Sequence, residues 1–404
     1  MSRTICLYLH VHQPYRLRPF SVFDTGSGTN YWHGDPVSDA SNERIVQKVA
    51  EKSYRPTNAL LLELLERHPE FKLSLSITGT VLEQLEAWAP DVLEGFKKLV
   101  ATGRVEILAE TYYHSLAFFY APHEFQQQVA QHRRKIQGLF GVTPQVIRNT
   151  ELSYNNDLAQ WADTAGYKGV ITEGWEPILG WRSPHFMYRP AGTQRIKLLL
   201  KDYTLSDDVA FRFSDRNWSQ WPLTAEKYVH WLNALPADEQ LVNLFMDYET
   251  FGEHQWHDHG IFDFLRRFPD EFLRHRGNTF ATISEAIDAF EPVGELDVPN
   301  ILTWADTERD LSAWTGNAMQ REAIQQVYEL EEAVLQTRDP RIIEDWRRLQ
   351  TSDHFYYMCT KWFNDGDVHA YFSPYQSPYD AFIYFCNALR DLRLRLVEHK
   401  ESQQ

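Results

Sequence analysis

Cysteine is scarce in these 404 residues. Cys6, Cys359 and Cys386 make an odd count with no CxxC pair, which argues against a disulfide framework. No apolar stretch reaches the roughly 18 residues that a membrane span needs. The first apolar run, Ile5 to Leu9, is too short for a signal peptide and is followed by histidines. A soluble protein in a reducing, cytoplasmic setting is the simplest expectation, with no membrane partner. Positive charge is also lacking: the net charge is −16 and no basic cluster stands out. Phosphate binding needs local positive charge, so nucleic acid is not an expected partner. GxSxG, P-loop and GxGxxG motifs are absent, which leaves acyl transfer, nucleotide and dinucleotide chemistry without support. There are no internal repeats and no low-complexity tract.

What is present describes a globular chain. The hydrophobic fraction of 43% and charged fraction of 24% are ordinary for one, and the length suits one large domain plus a smaller one. Aromatic residues are abundant, with 13 Trp, 20 Tyr and 24 Phe. They fit either a Trp-rich core or stacking platforms for flat apolar faces such as those of sugar rings.

The apolar runs Thr4 to Leu9, Phe71 to Ile77, Arg104 to Leu108, Pro144 to Ile147, Lys168 to Ile171, Ile196 to Leu200 and Leu241 to Met246 read as seven strands. Helical patterns alternate with them, including Asn42 to Arg67 and Glu124 to Phe140. Thr279 to Thr282 reads as a weak eighth strand or a linker. This alternation over about 280 residues predicts a parallel α/β sheet or barrel, catalytic in residues 1–291. From Pro292 the pattern turns helical, which predicts an α-helical C-terminal domain over 292–404 that contributes to the cleft.

A parallel barrel presents its chemistry at the C-terminal ends of its strands. There the reading places His10 and His12, Glu106 and Glu110, Glu151, Asp247 and Glu249. Carboxylates dominate, and a facing pair of them is what glycoside hydrolysis needs. His10 and His12, two residues apart, equally suit the first ligands of a zinc hydrolase or deacetylase. His254, His257 and His259 are the other clustered histidines.

His10-Val11-His12-Gln13-Pro14, Gly103-Arg104-Val105-Glu106-Ile107, Arg148-Asn149-Thr150-Glu151-Leu152, Asp247-Tyr248-Glu249-Thr250-Phe251-Gly252 and Trp304 to Asn317 occur in that order. They resemble the five signature regions of glycoside hydrolase family 57, and the forms at Glu151, Asp247 and Asp310 look most like its α-amylase branch. The resemblance implies an incomplete (β/α)7 TIM-like barrel followed by helices that close the cleft. It implies a retaining glycosidase acting on α-1,4-glucosidic bonds of an α-glucan or maltooligosaccharide, with no metal or other cofactor. By position it implies Glu151 as nucleophile and Asp247 as acid/base. His10, His12, Glu106, Trp304, Asp310 and Trp314 become expected substrate contacts, with Asp306 competing with Asp310 for the role of family acid. Glycosyl transfer is the alternative outcome of the same intermediate. A raised Asp247 pKa, caused by an anionic Glu151, is expected with that mechanism.

Overall fold

The computed structural model describes residues 2–26, 30–33, 41–361, 369 and 371–402. The seven apolar runs form parallel strands β1 (Thr4–Val11), β2 (Leu73–Ile77), β3 (Val105–Ile107), β4 (Val146–Ile147), β5 (Gly169–Glu173), β6 (Lys197–Lys201) and β7 (Leu241–Asp247). Their pairing gives two sheets, ordered β3-β2-β1-β7 and β4-β5-β6. Short seams join the sheets. At one, Ala109 donates its N–H to Val146 O and accepts from Arg148 N–H, both at 2.9 Å. At the other, Asp202 N–H donates to Asn243 O at 2.9 Å, and the Asn243 amide reaches Leu200 O at 2.9 Å. The strands therefore close a ring one strand short of a full eight-stranded barrel. Thr279–Phe280 pairs in parallel with the start of β1, so this segment is a two-residue strand rather than a linker.

Strand alternation decides what points inward. Ile5, Leu7, Leu9 and Val11 pack outward among helix residues such as Leu60 and Leu64. Cys6 and Tyr8 point into the ring, with Leu199 and Phe245. The Tyr8 and Phe245 rings meet edge to face, with centroids 5.4 Å apart. The next inward position on β1 is His10, paired in register with Asp247 on β7. A packed apolar plug thus gives way, one layer higher, to polar side chains.

The helix expected over Asn42 to Arg67 forms as Asn42–Val49, one π turn at Ala50–Tyr54, and Arg55–Arg67. The helix Ile261–Leu273 continues past Phe268 despite Pro269, because Phe264, Phe268 and Phe272 keep a buried face through the proline. From Ser312 onward every described element is a helix. Trp346, Phe385 and Leu389 from these helices share one apolar cluster with Ile147, Val170 and Leu198 of the ring. Trp314 and Trp346 are buried in that cluster, as a Trp-rich core requires, whereas Trp181 lies on the surface. No described helix is long and apolar enough to cross a membrane.

Candidate active site

A cleft of about 480 Å³ opens over the C-terminal ends of β1, β6 and β7. His10, His12, Glu151, Asp247, Trp304 and Trp314 all line it, joined from the helical region by Asp353 and Tyr356.

Glu151 follows β4 in a left-handed backbone conformation, φ 58° and ψ 30°, and Leu152 after it also has positive φ. Such geometry is costly for a non-glycine residue and is held by its surroundings. The carboxylate has a donor on each oxygen. His114 Nε2 donates to Oε1 at 2.7 Å, and Trp304 Nε1 donates to Oε2 at 2.7 Å. The backbone N–H of Trp304 also donates to the Glu151 carbonyl at 3.2 Å. Burial opposes ionisation of Glu151, but the His114 contact, the Arg148 charge and the Trp304 donor outweigh it and hold the carboxyl below its usual range. His114 itself resists charging through burial. Carboxylates on both sides, Glu110 and Glu151, reverse that and raise it to about 9.

Asp247 ends β7 with its side chain 38% exposed to the cleft. Its nearest cation or imidazole is His10, whose Nδ1 lies 3.5 Å from Oδ1. The other His10 nitrogen, Nε2, is 3.2 Å from Glu110 Oε2. The expected raised pKa is not found. Burial does push Asp247 up, but His10, His254 and Arg148 pull it below its ordinary value.

The raised carboxyl is Glu249, lifted to about 8 by burial and by the charge of Asp247. β7 stops at Asp247, and Tyr248–Thr250 turns as a single 3-10 segment, so alternation does not carry on to Glu249. Tyr54, delivered by the π turn, donates to Glu249 Oε1, which also accepts His12 N–H at 3.4 Å. Gly252 completes this turn with φ 106°, and a Cβ there would lie 2.0 Å from the Lys52 carbonyl of the same π turn. The glycine of the fourth signature block is thus a requirement of backbone approach.

Two of the sequence-derived contacts are not brought to the cleft. Glu106, Leu108 and Glu110 share one strand face, so Glu106 lies about 13 Å below Glu110 at the usual rise per strand residue. It bonds Ser74 Oγ and Ser284 N, each at 3.0 Å, and so anchors the start of the helix Ile283–Ala289. The acid at cleft level is Glu110, three residues beyond β3, fully buried, 3.2 Å from His10 and 3.4 Å from Arg148. Asp310 is exposed and accepts from Ser312 N, whereas Asp306 lines the cleft and is held by Lys361 at 2.8 Å and His369 at 3.2 Å. Of the clustered histidines only His254 reaches the cleft; His257 and His259 are exposed.

Several cleft residues carried no usable sequence signal. Asp353, at the start of a five-residue helix, accepts from His12 Nε2 at 3.0 Å. Burial and the nearby His114 charge lower His12 to about 4, so its ring is neutral, and Thr78 Oγ1 bonds the other nitrogen at 2.9 Å. Lys201 and Arg309 form a buried ion network with Glu173 and Asp207 beneath Trp304. Lys201 and Arg148 both approach the Trp304 ring, at 5.5 and 5.6 Å from its centre. The signal available for Asp207 was weak, because the helix Tyr203–Ala210 is short and polar.

Among the described residues, two sets of side chains have the donors of a metal site: His10, Glu110 and His114, and His12, His114 and Asp353, each with ligand atoms within 4.8 Å. His114 belongs to both. It holds its proton up to about 9 between two carboxylates, so an ion would have to displace that proton first.

This arrangement of carboxylates at strand ends in a ring-shaped α/β fold is that of a glycoside-cleaving enzyme. The profile of glycosyl hydrolase family 57 matches residues 6–299, and the chain belongs to that family. A Methanocaldococcus jannaschii protein, provisionally named alpha-amylase, is 42% identical over 98% of this chain and 85% of its own length. A 4-alpha-glucanotransferase of Thermococcus litoralis is 22% identical over 63% of this chain, which spans only 38% of that protein. The fold matches the family 57 branching enzyme of Pyrococcus horikoshii with a TM-score of 0.68 at 16% identity, covering 99% of this chain and 88% of that one.

Proposed function

We propose that the protein is a retaining α-glucan hydrolase of α-amylase type, cutting α-1,4-glucosidic bonds with Glu151 as nucleophile and Asp247 as acid/base. The observation that carries the reading is the placement of Glu151 and Asp247 in one cleft, with Glu151 held ionised by a donor on each oxygen. In the first step Glu151 attacks the anomeric carbon, the glycosidic C–O bond breaks, and Asp247 gives its proton to the leaving oxygen. A glucan filling the cleft displaces water from Asp247, which favours the protonated form needed at that moment. In the second step Asp247 takes a proton from water, the water oxygen attacks the anomeric carbon, and the bond to Glu151 breaks.

His10 sits between Glu110 and Asp247 and orients the acid/base. Asp353 and neutral His12 provide a polar pair for sugar hydroxyls, and Asp306 extends that set. Trp314 and Tyr356, 6.0 Å apart, wall the cleft from the helical side. The same reading treats 1–291 as the barrel and 292–404 as the helical domain that completes the site. Three free cysteines suit a reducing cytoplasm.

The likeness to a glucanotransferase favours one second reading, transfer to a sugar hydroxyl in place of water. Incubation of wild type and Glu151→Gln with maltooligosaccharides and soluble starch, with and without a chelator, tests all of this. Shortened products of retained anomeric configuration, from wild type alone and in both conditions, are expected. Longer products would mark transfer. Loss with chelator would replace the carboxylate mechanism by one on the two metal-competent clusters.

A further inference from the structure

A second concavity, of about 660 Å³, lies outside the active cleft among the helices Ala117–Tyr120 and Ala318–Tyr328. The Tyr120 ring stacks on Tyr328 with centroids 5.3 Å apart and planes 11° from parallel. Tyr328 is buried and Tyr120 is 40% exposed, and both rings border the hollow. An exposed aromatic ring at the border of a hollow, held by stacking on a buried one, is an apolar contact surface of fixed position. Around it stand groups that donate and groups that accept. Arg321 spends Nη1 on the Thr315 carbonyl at 3.0 Å and keeps further N–H groups. The Gln325 amide nitrogen donates to Glu329 Oε1 at 2.6 Å, which leaves the Gln325 carbonyl oxygen and Glu329 Oε2 as acceptors.

We propose that this concavity is a secondary carbohydrate site that holds a stretch of the same α-glucan. The apolar face of a glucose ring lies on Tyr120, and its hydroxyls bond Arg321, Gln325 and Glu329. A pyranose needs this combination of one flat apolar contact and a rim of mixed donors and acceptors. A nucleotide or other anion fits less well, because Arg321 is the one cation among the described lining residues and Glu329 sets a negative charge in the same lining. The short helix Ser312–Thr315 borders both this hollow and the active cleft. Trp314 lines the cleft, and Thr315, the next residue of the same short helix, lines the concavity. A polymer long enough to occupy both hollows gains from the second one, which benefits long substrates and leaves short ones unaffected.

The proposal rests on the α-glucan reading of the active cleft, and its test separates the two. Wild type, Tyr120→Ala, Tyr120→Phe and Arg321→Ala are compared by sedimentation with granular starch and by kinetics on soluble starch and on maltotriose. Tyr120→Ala and Arg321→Ala are each expected to weaken starch binding and raise KM on starch about five- to tenfold, a loss typical of one well-packed contact. Values of kcat/KM on maltotriose should stay at the wild-type level, which also reports intact folding. Tyr120→Phe keeps the platform and should bind as wild type. Turnover of both substrates with unchanged starch affinity in Tyr120→Ala would overturn the secondary site alone. A wild-type protein that neither binds nor cuts α-glucan would overturn the cleft reading, and this site's ligand with it.

Discussion

The two carboxylates of the cleft are held in opposite ways. Glu151 sits in a left-handed backbone, takes a hydrogen bond on each oxygen and is tied through its carbonyl to Trp304. Asp247 ends an ordinary strand, keeps more than a third of its side chain exposed and has His10 at 3.5 Å as its nearest charged or imidazole neighbour. A nucleophile benefits from a fixed position and constant charge, since misplacement of the attacking atom is costly. An acid/base must change protonation twice per turnover, and loose, asymmetric contacts leave room for that. The difference predicts that damage on the Glu151 side is felt in every reaction, whereas damage on the Asp247 side depends on how much protonic help the leaving group needs.

The largest effect expected follows directly. Glu151→Gln replaces the attacking carboxylate by a neutral amide and should abolish turnover of every glucoside. Asp247→Asn should lower kcat on starch by about 10²- to 10⁴-fold, the usual worth of a general acid, yet form the glycosyl-enzyme readily from a substrate with a good leaving group such as a glucosyl fluoride. Azide should then rescue deglycosylation. Equal loss of activity on fluoride and starch in Asp247→Asn would remove the acid/base assignment.

Trp304 sharpens the comparison next. As a stacking platform it would tolerate Phe, whereas as a donor to Glu151 it would not. Trp304→Phe keeps an aromatic ring and deletes the N–H, so kcat should fall about tenfold, the cost of one charge-assisted hydrogen bond of about 1.4 kcal/mol, with little change in KM. The acidic limb of kcat/KM should move to higher pH, because Glu151 loses a contact that favours its ionised form. Unchanged kcat with a raised KM would return Trp304 to substrate binding. His114→Gln should move the same limb in the same direction, since it deletes the cation that contributes most to lowering Glu151. Asp247→Asn should leave that limb in place.

Much of this was legible in the sequence because strands write their ends plainly. The inward parity of Cys6, Tyr8 and His10 and the run into Asp247 follow from alternation, and both residues lie where strand ends were expected. Glu151, although on an irregular turn, was marked by its signature block. Alternation also explains the misplacement of Glu106: it shares a face with Glu110 but lies two inward layers lower, and a motif does not show depth within a ring. Asp353 and Asp207 were invisible for another reason. Each sits in a helix of eight residues or fewer, away from the strand ends that mark a site, and its partner, His12 or Lys201, lies on a different element. Asp306 and Asp310 differ in backbone direction, which turns Asp306 into the cleft at φ 55° and leaves Asp310 in solvent, a difference that no sequence pattern marks.

Glu249 gives the smallest and most indirect effect. Its carboxyl keeps its proton up to about 8 in the folded protein, while in the unfolded chain it releases it near about 4.3. Between those values folding takes up a proton, so this group makes wild-type stability fall as pH rises across that window. Gln at 249 has no proton to lose and can still accept from Tyr54 and His12. Glu249→Gln should therefore match wild type near pH 4.5 and exceed it in Tm by a margin that widens toward pH 8. Thermal unfolding at several pH values would show this, and parallel curves for the two proteins would mean that Glu249 is already ionised at neutral pH. In that case Asp247 would face a second anion two residues away, and its loosely held charge would need more than His10, His254 and Arg148 to stay below the usual range.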